Sequence, residues 1–213
     1  MNLDIVGIIV VLVVILFSMV LHELAHGLVA LWLGDDSAKE EGRLTLNPVK
    51  HLDPVMSIML PLLLYITGGP VFGGAKPVPI NPSKLKWREW GMALVAFAGP
   101  LTNFLIALIS FLIGFWTGWL NDQGVLGLIF TELVIANLGF AVFNMIPIPP
   151  LDGSRILYAL SPDGVRDFME KMESVGLIVV YIMILVFGSV FQSVMVGGIS
   201  GILDFFYLLV GIS

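Results

Sequence analysis

The chain contains no cysteine and few charged residues among its 213 positions. Without cysteine there are no disulfides and no thiolate metal ligands, so a transition metal must be held by His, Asp or Glu. Charged residues make up 12% of the sequence and the mean hydropathy is +1.00, whereas soluble proteins average about 25% charged residues. These values indicate an integral membrane protein. No basic patch or motif supports nucleic-acid binding.

Apolar stretches long enough to cross a bilayer recur along the chain, because a span needs about 20 apolar residues. We predict an all-α polytopic membrane protein that forms a single membrane-embedded domain over residues 1–213. It has a three-helix core and C-terminal transmembrane helices. The core spans are predicted at about 5–34, 91–120 and 124–146, with C-terminal spans at 174–195 and, if the last short segment crosses, 199–212.

The region between the first two core spans has a different pattern. Residues 42–46 alternate in polarity like a short strand, 54–68 is apolar but short for a span, and 76–82 is dense in proline. We predict that about 40–82 forms a re-entrant lining beside the active site, with short β-strands. The alternative is a surface loop that carries one interfacial helix.

The ten Lys and Arg residues favour one topology. If 54–68 re-enters, all ten lie on one side of the membrane, and if it spans, they divide seven to three. Because positive charge concentrates in cytoplasmic loops, we expect a multi-pass protein of the cytoplasmic membrane with its N-terminus outside. The C-terminal end of the first span then lies nearer the cytoplasm.

The first span contains the sequence His22-Glu23-Leu24-Ala25-His26, an HExxH motif. Its two histidines are four residues apart, so a helix places both on one face, where they can bind one metal ion. Glu23 is the only charged residue between Ile5 and Gly34, and charged groups inside membrane spans are usually functional. The motif therefore predicts a metalloprotease with Glu23 as general base. The alternative is a chance motif on a buried helix.

A catalytic zinc usually takes three protein ligands and one water, so a third ligand is required. The candidates are His51, Asp53, Glu132 and Asp152. Asp152 is the strongest, because the prolines before it break the helix and let the carboxylate turn back. It could equally be the N-cap of the following helix. His51 is more plausible as an interfacial or substrate-contacting residue than as a ligand.

Together, HELAHG in the first span and NMIPIPPLDG after a later span resemble the site-2 protease family of intramembrane zinc metalloproteases. The segment Ala98–Asn103 is similar to a third family motif. The resemblance implies that Zn²⁺ is held by His22, His26 and Asp152, that Asn144 lies near the reacting carbonyl, and that the substrate is a transmembrane segment of another protein within the lipid bilayer. It corresponds to the minimal form, without PDZ-like or CBS-like domains.

Other functions and roles remain open at this point. Asn144 could instead cap or cross-link helices, and Asn103 is expected to make a helix–helix hydrogen bond. The protein could be a membrane carrier for divalent metal ions, which would need no general base, or a non-catalytic homologue that binds helices. The sequence leaves the oligomeric state unknown.

Overall fold

The computed structural model describes residues 5–54, 59, 66 and 76–212, and this part of the chain contains eight α-helices and no β-strand. The all-α prediction is confirmed. The helices are α1 (Ile5–Trp32), α2 (Ser37–Glu40), α3 (Arg88–Thr117), α4 (Val125–Asn144), α5 (Asp152–Leu160), α6 (Asp163–Val175), α7 (Leu177–Val186) and α8 (Gly188–Leu209). Short 3₁₀ helices occupy Pro48–His51 and Trp119–Asn121.

Four of these helices, α1, α3, α4 and α8, are long and apolar enough to cross a membrane. In lipid the backbone must satisfy its own hydrogen bonds, which a helix does. The outward face of α1 carries exposed apolar side chains, among them Ile5, Ile9 and Val13, and exposure of such residues suits contact with lipid. The helices α1, α3 and α4 correspond to the three predicted core spans.

These three helices contact one another, and α5 packs against α3. The first half of α3 is rich in small buried residues, including Gly91, Ala96 and Gly99. Small residues allow helix backbones to approach closely, which favours packing in membranes. A cluster of buried apolar side chains forms where Phe111 on α3 meets Leu138 on α4 and Phe206 on α8. Helix α3 is therefore the central element of the bundle.

Asp35, just after α1, ties the segment that leads into α3 to the end of α1. It is fully buried, and its carboxylate accepts hydrogen bonds from the Ser37 backbone N (3.0 Å), the Ser37 hydroxyl (2.6 Å) and the Asn81 backbone N (2.6 Å). The Lys86 backbone N also donates to the Leu33 carbonyl at 2.9 Å. Residues 76–86 are thus held along the last turns of α1.

The predicted short strand at 42–46 is wrong. These residues form bends, in which the Thr45 N–H donates to the Arg43 carbonyl only two residues earlier. Asn47 then caps the 3₁₀ helix by accepting from the Val49 N–H. The alternation was misleading because a strand needs a partner, and the described residues provide none. Most of 54–68 lies outside the described residues, so its re-entry stays a prediction.

The predicted C-terminal span at 174–195 is also wrong. The chain breaks at Gly176 and again at Phe187, so α7 has only ten residues, and α8 joins the end of the predicted span to the 199–212 segment. Hydropathy alone cannot locate a break between two apolar helices. The glycines at 197, 198 and 201 do not end α8, because a helical glycine costs only about 1 kcal/mol, and an unsatisfied backbone in lipid costs more.

We expect Asp35→Ala to destabilise the protein by about 3 kcal/mol, because two backbone N–H groups and a hydroxyl lose an ionised acceptor. Thermal unfolding in detergent would measure this loss. The matched control is Asp36→Ala: Asp36 is exposed and pairs with Lys84, which holds the pKa of the Asp36 carboxyl below its ordinary value. An exposed pair contributes little, so equal effects of the two substitutions would contradict the anchoring role of Asp35.

Candidate metal centre

Helix α1 presents His22 and His26 to the interior of the bundle. Both side chains are buried, and their rings lie 4.5 Å apart between centroids. They cover Gly99 of α3: a Cβ atom built on Gly99 would lie 2.5 Å from the His22 Cε1 and the His26 Nε2 atoms. Glycine at this position therefore lets the two imidazoles lie against the backbone of α3.

Asp152 reaches the histidines because the chain reverses direction between α4 and α5. Gly153 makes the turn possible, since a Cβ atom there would overlap the Met145 carbonyl. Asp152 is the first residue of α5, while Leu151 is the N-cap and makes no side-chain capping bond. The capping alternative for Asp152 is therefore not what the structure shows. Its carboxylate points toward α1 instead.

Three ligand atoms converge at this point. The Nε2 atoms of His22 and His26 are 3.0 Å apart, and Asp152 Oδ2 lies 3.2 Å from the first and 3.4 Å from the second. Tetrahedral zinc with bonds of about 2.0–2.1 Å separates its ligand atoms by about 3.3–3.4 Å. Asp152 Oδ2 is buried and makes no hydrogen bond within the described part of the chain. Both observations fit a metal ion at this position.

The far side of each imidazole is held by a hydrogen bond. His26 Nδ1 lies 2.7 Å from the carbonyl oxygen of Val95, and His22 Nδ1 lies 2.6 Å from the side-chain oxygen of Asn103. A carbonyl oxygen can only accept, so His26 carries a proton on Nδ1, and in the neutral ring its Nε2 then presents a lone pair. Such bonds orient metal-binding histidines and set their tautomer.

Glu23 is held by the segment before α3. Its Oε2 accepts a hydrogen bond of 2.9 Å from the backbone N–H of the buried Val78. The side chain lines the same cavity as His22, His26 and Asp152. A carboxylate beside the metal-binding group is where a general base for an attacking water is required.

The cavity beside these groups has a volume of about 570 Å³. Asn144 lines it at the end of α4, and its Nδ2 donates a 3.1 Å hydrogen bond to the Phe140 carbonyl. Arg155 and Glu173, which pair with each other, also contribute to the wall. The cavity therefore joins the five residues singled out in the sequence and continues toward the polar helices α5 and α6.

The other candidate ligands do not join this group. Within the described residues, the cluster able to hold a metal consists of His22, His26 and Asp152. His51 is fully buried, and its Nε2 lies 2.8 Å from the Thr45 carbonyl oxygen.

No sequence pattern indicates the supporting contacts of Val95 and Val78, because both residues act through backbone atoms. Asn103 stands out in the sequence as a single amide side chain in an apolar helix. The predicted helix–helix hydrogen bond is present, to Asn137 on α4. Its contact with His22 was not predicted.

We expect Gly99→Ala to weaken metal binding at least about tenfold, because the new methyl group must displace a ligating imidazole. Metal content of the purified protein, measured by mass spectrometry, would test this. Gly139→Ala on α4 is the matched control, since a Cβ atom there meets nothing within 4 Å. Full metal content in the Gly99 variant would show that the ligands lie elsewhere.

Two comparisons with known proteins gave matches. The profile of peptidase family M50 matches residues 118–187, which include Asn144 and Asp152. The chain is 41% identical over 180 residues to the Bacillus subtilis protein named "Putative zinc metalloprotease YwhC", covering 78% of this chain and 76% of YwhC. The Mycolicibacterium smegmatis protein named "Putative zinc metalloprotease Rip2" is 32% identical, and the match covers 79% of this chain and 64% of Rip2. No solved structure gave a significant match. The chain belongs to peptidase family M50, the family of the site-2 proteases that its two motifs resemble.

Proposed function

We propose that this protein is an intramembrane zinc metalloprotease that hydrolyses peptide bonds in or near transmembrane segments of other membrane proteins. The observation that carries the proposal is the convergence of His22 Nε2, His26 Nε2 and Asp152 Oδ2, with Glu23 on the wall of the same cavity. Family membership and the zinc metalloprotease names of the relatives support it.

His22, His26 and Asp152 would hold the zinc ion. Two imidazoles and a carboxylate are a common ligand set of catalytic zinc sites, which leave a fourth position open. When bound there, zinc supplies a Lewis acid that lowers the pKa of water and polarises a peptide carbonyl. His22 and His26 are buried and Asp152 is partly buried, and the reduced dielectric constant of such surroundings strengthens these electrostatic effects.

Glu23 acts as the general base. Its carboxylate takes a proton from the attacking water and delivers it to the amine of the leaving peptide, so that Glu23 ends the reaction ionised, as it began. The hydrogen bond from the Val78 N–H holds one oxygen of this carboxylate, Oε2, in place. We assign the proton transfer to the second oxygen, Oε1.

Asn144 is placed to stabilise the oxyanion. An amide nitrogen carries two N–H groups, and the Asn144 Nδ2 uses one of them on the Phe140 carbonyl. The other is available to a developing negative charge in the cavity. The contact with Phe140 holds the side chain at the end of α4, and this local bond is compatible with the proposed role.

The depth of the site supports a membrane substrate. His26 lies six residues before the end of α1, which places it about 9 Å inside that end at 1.5 Å per residue. A transmembrane helix must unwind before its carbonyls can react.

Binding of the extended peptide by strand addition at 78–81 is restricted. The Val78 and Asn81 N–H groups already bond Glu23 and Asp35, and Pro79 has none. The carbonyl groups of this segment are the more available partners for the peptide.

Charge favours a site near the cytoplasmic face of the cell membrane. The end of α1 next to the site carries Lys84 and Lys86, held against residues 33–36. Arg155, Arg166 and Lys171 follow α4 at the same end. By the positive-inside rule this end faces the cytoplasm. With α8 as the fourth crossing, the C-terminal end of the described chain lies outside.

We expect Glu23→Gln to abolish proteolysis and leave zinc binding intact, because the amide preserves the shape of the side chain but cannot accept the proton. Loss of a general base costs about 10²–10⁴-fold in rate. Cleavage of single-span model substrates in proteoliposomes, with bound zinc measured in parallel, would show this. Unchanged cleavage would refute the mechanism, and zinc uptake into vesicles that survives the substitution would point to a metal carrier.

We expect Asp152→Ala to lose most of its zinc and His51→Ala to keep it. Removal of one of three ligands weakens the site strongly, whereas His51 lies outside the ligand cluster. Zinc content of the two purified variants beside the wild type measures the difference. Zinc that persists without Asp152 and disappears without His51 would overturn the ligand assignment.

A further inference from the structure

Three polar side chains lie buried among apolar residues between α1, α3 and α4. Ser18, Asn103 and Asn137 each have no exposed surface. They connect in one chain: Asn137 Nδ2 donates to Ser18 Oγ at 2.8 Å, and Asn103 Nδ2 donates to Asn137 Oδ1 at 2.8 Å. The chain ends at His22, whose Nδ1 lies 2.6 Å from Asn103 Oδ1.

The orientation of the Asn137 amide is fixed by the backbone of its own helix. Asn137 Nδ2 lies 2.8 Å from the carbonyl oxygen of Leu133. A carbonyl oxygen only accepts hydrogen bonds, so the nitrogen of the amide must be on this side. Asn137 Oδ1 is therefore on the opposite side, where it faces Asn103.

The same argument determines the orientation of the Asn103 amide and then the tautomer of His22. Because Asn137 Oδ1 can only accept, the nitrogen of Asn103 must face it, and this nitrogen also points toward the Ser18 carbonyl at 3.5 Å. Asn103 Oδ1 is then the atom beside His22 Nδ1. An oxygen at this position requires a proton on Nδ1, which leaves the Nε2 lone pair for the metal.

We propose that Asn137 is a positioning residue of the metal centre, which sets the tautomer of His22 through Asn103 without touching the histidine. If the Asn103 amide were reversed, its nitrogen would donate to His22 Nδ1, and the proton would move to Nε2, where it would block the metal. His26 does not need a positioning residue of this kind, because the Val95 carbonyl determines its tautomer directly.

The inference rests on the zinc site proposed above, but not on proteolysis, because its measurement is metal affinity. The zinc dissociation constant of the full chain in detergent is measured by competition with a chromophoric chelator. We expect Asn137→Ala to weaken zinc binding about 10–100-fold, the usual effect of removing a supporting partner of a ligand. Asn137→Val, of similar volume, serves if alanine unfolds the protein.

A double-mutant cycle separates orientation from packing. In an Asn103→Asp background both side-chain oxygens are acceptors, so no reversed state exists for Asn137 to prevent. Asn137→Ala should then cause no further loss of zinc affinity. An equal loss in both backgrounds would mean that Asn137 acts through general packing, which would overturn the proposal.

Two further variants serve as controls. Ser18→Ala should bind zinc nearly as the wild type does, because the Leu133 carbonyl still fixes the Asn137 amide. Ser110→Ala removes a buried hydroxyl on α3 that lies outside the hydrogen-bonded chain, and it should leave the zinc affinity unchanged. Wild-type affinity in Asn137→Ala would overturn the inference alone, whereas a wild-type protein that binds no zinc would overturn the site itself.

Discussion

The structure depends on the meeting of three acceptor atoms where there is little water to separate them. With both imidazole protons held on Nδ1, the Nε2 atoms and the Asp152 oxygen present lone pairs to one another at 3.0–3.4 Å. Such an arrangement is unfavourable unless a cation occupies its centre, because buried charge and lone pairs need partners. Much of the fold around it keeps these atoms in place: glycine at 99 admits the rings, and the turn after α4 delivers the carboxylate.

The supporting contacts come mostly from backbone atoms rather than from charged side chains. The carbonyl of Val95 holds His26, the N–H of Val78 holds Glu23, and the carbonyl of Leu133 begins the chain that ends at His22. The Val95 and Leu133 carbonyls are positioned by whole helices, and none of the three backbone groups carries a titrating charge into the bilayer. A hydrophobic protein can in this way support a polar site with few ionisable residues.

The sequence pointed to the residues that converge in the candidate metal centre because their chemistry is specific. Two histidines at helical spacing, a glutamate beside them, and an aspartate after a proline-rich turn are rare in an apolar chain. The sequence predicted the core spans for the same reason that hydropathy works in membranes, since the backbone must form helices there. The strand at 42–46 failed because alternation alone does not supply a pairing partner. The break at Phe187 was missed because both sides of it are apolar. The role of Asn137 depends on distances between three helices, which no local pattern contains.

The hydrogen bond from the Val78 N–H to Glu23 ties the position of a carboxylate on α1 to the segment that precedes α3. Val78 belongs to the part of this segment that borders the cavity, next to the two prolines at 77 and 79. The two bonded residues are 55 positions apart in the sequence. A substitution that shifts this proline-flanked backbone would therefore move the carboxylate of the HExxH motif, although the motif itself is unchanged.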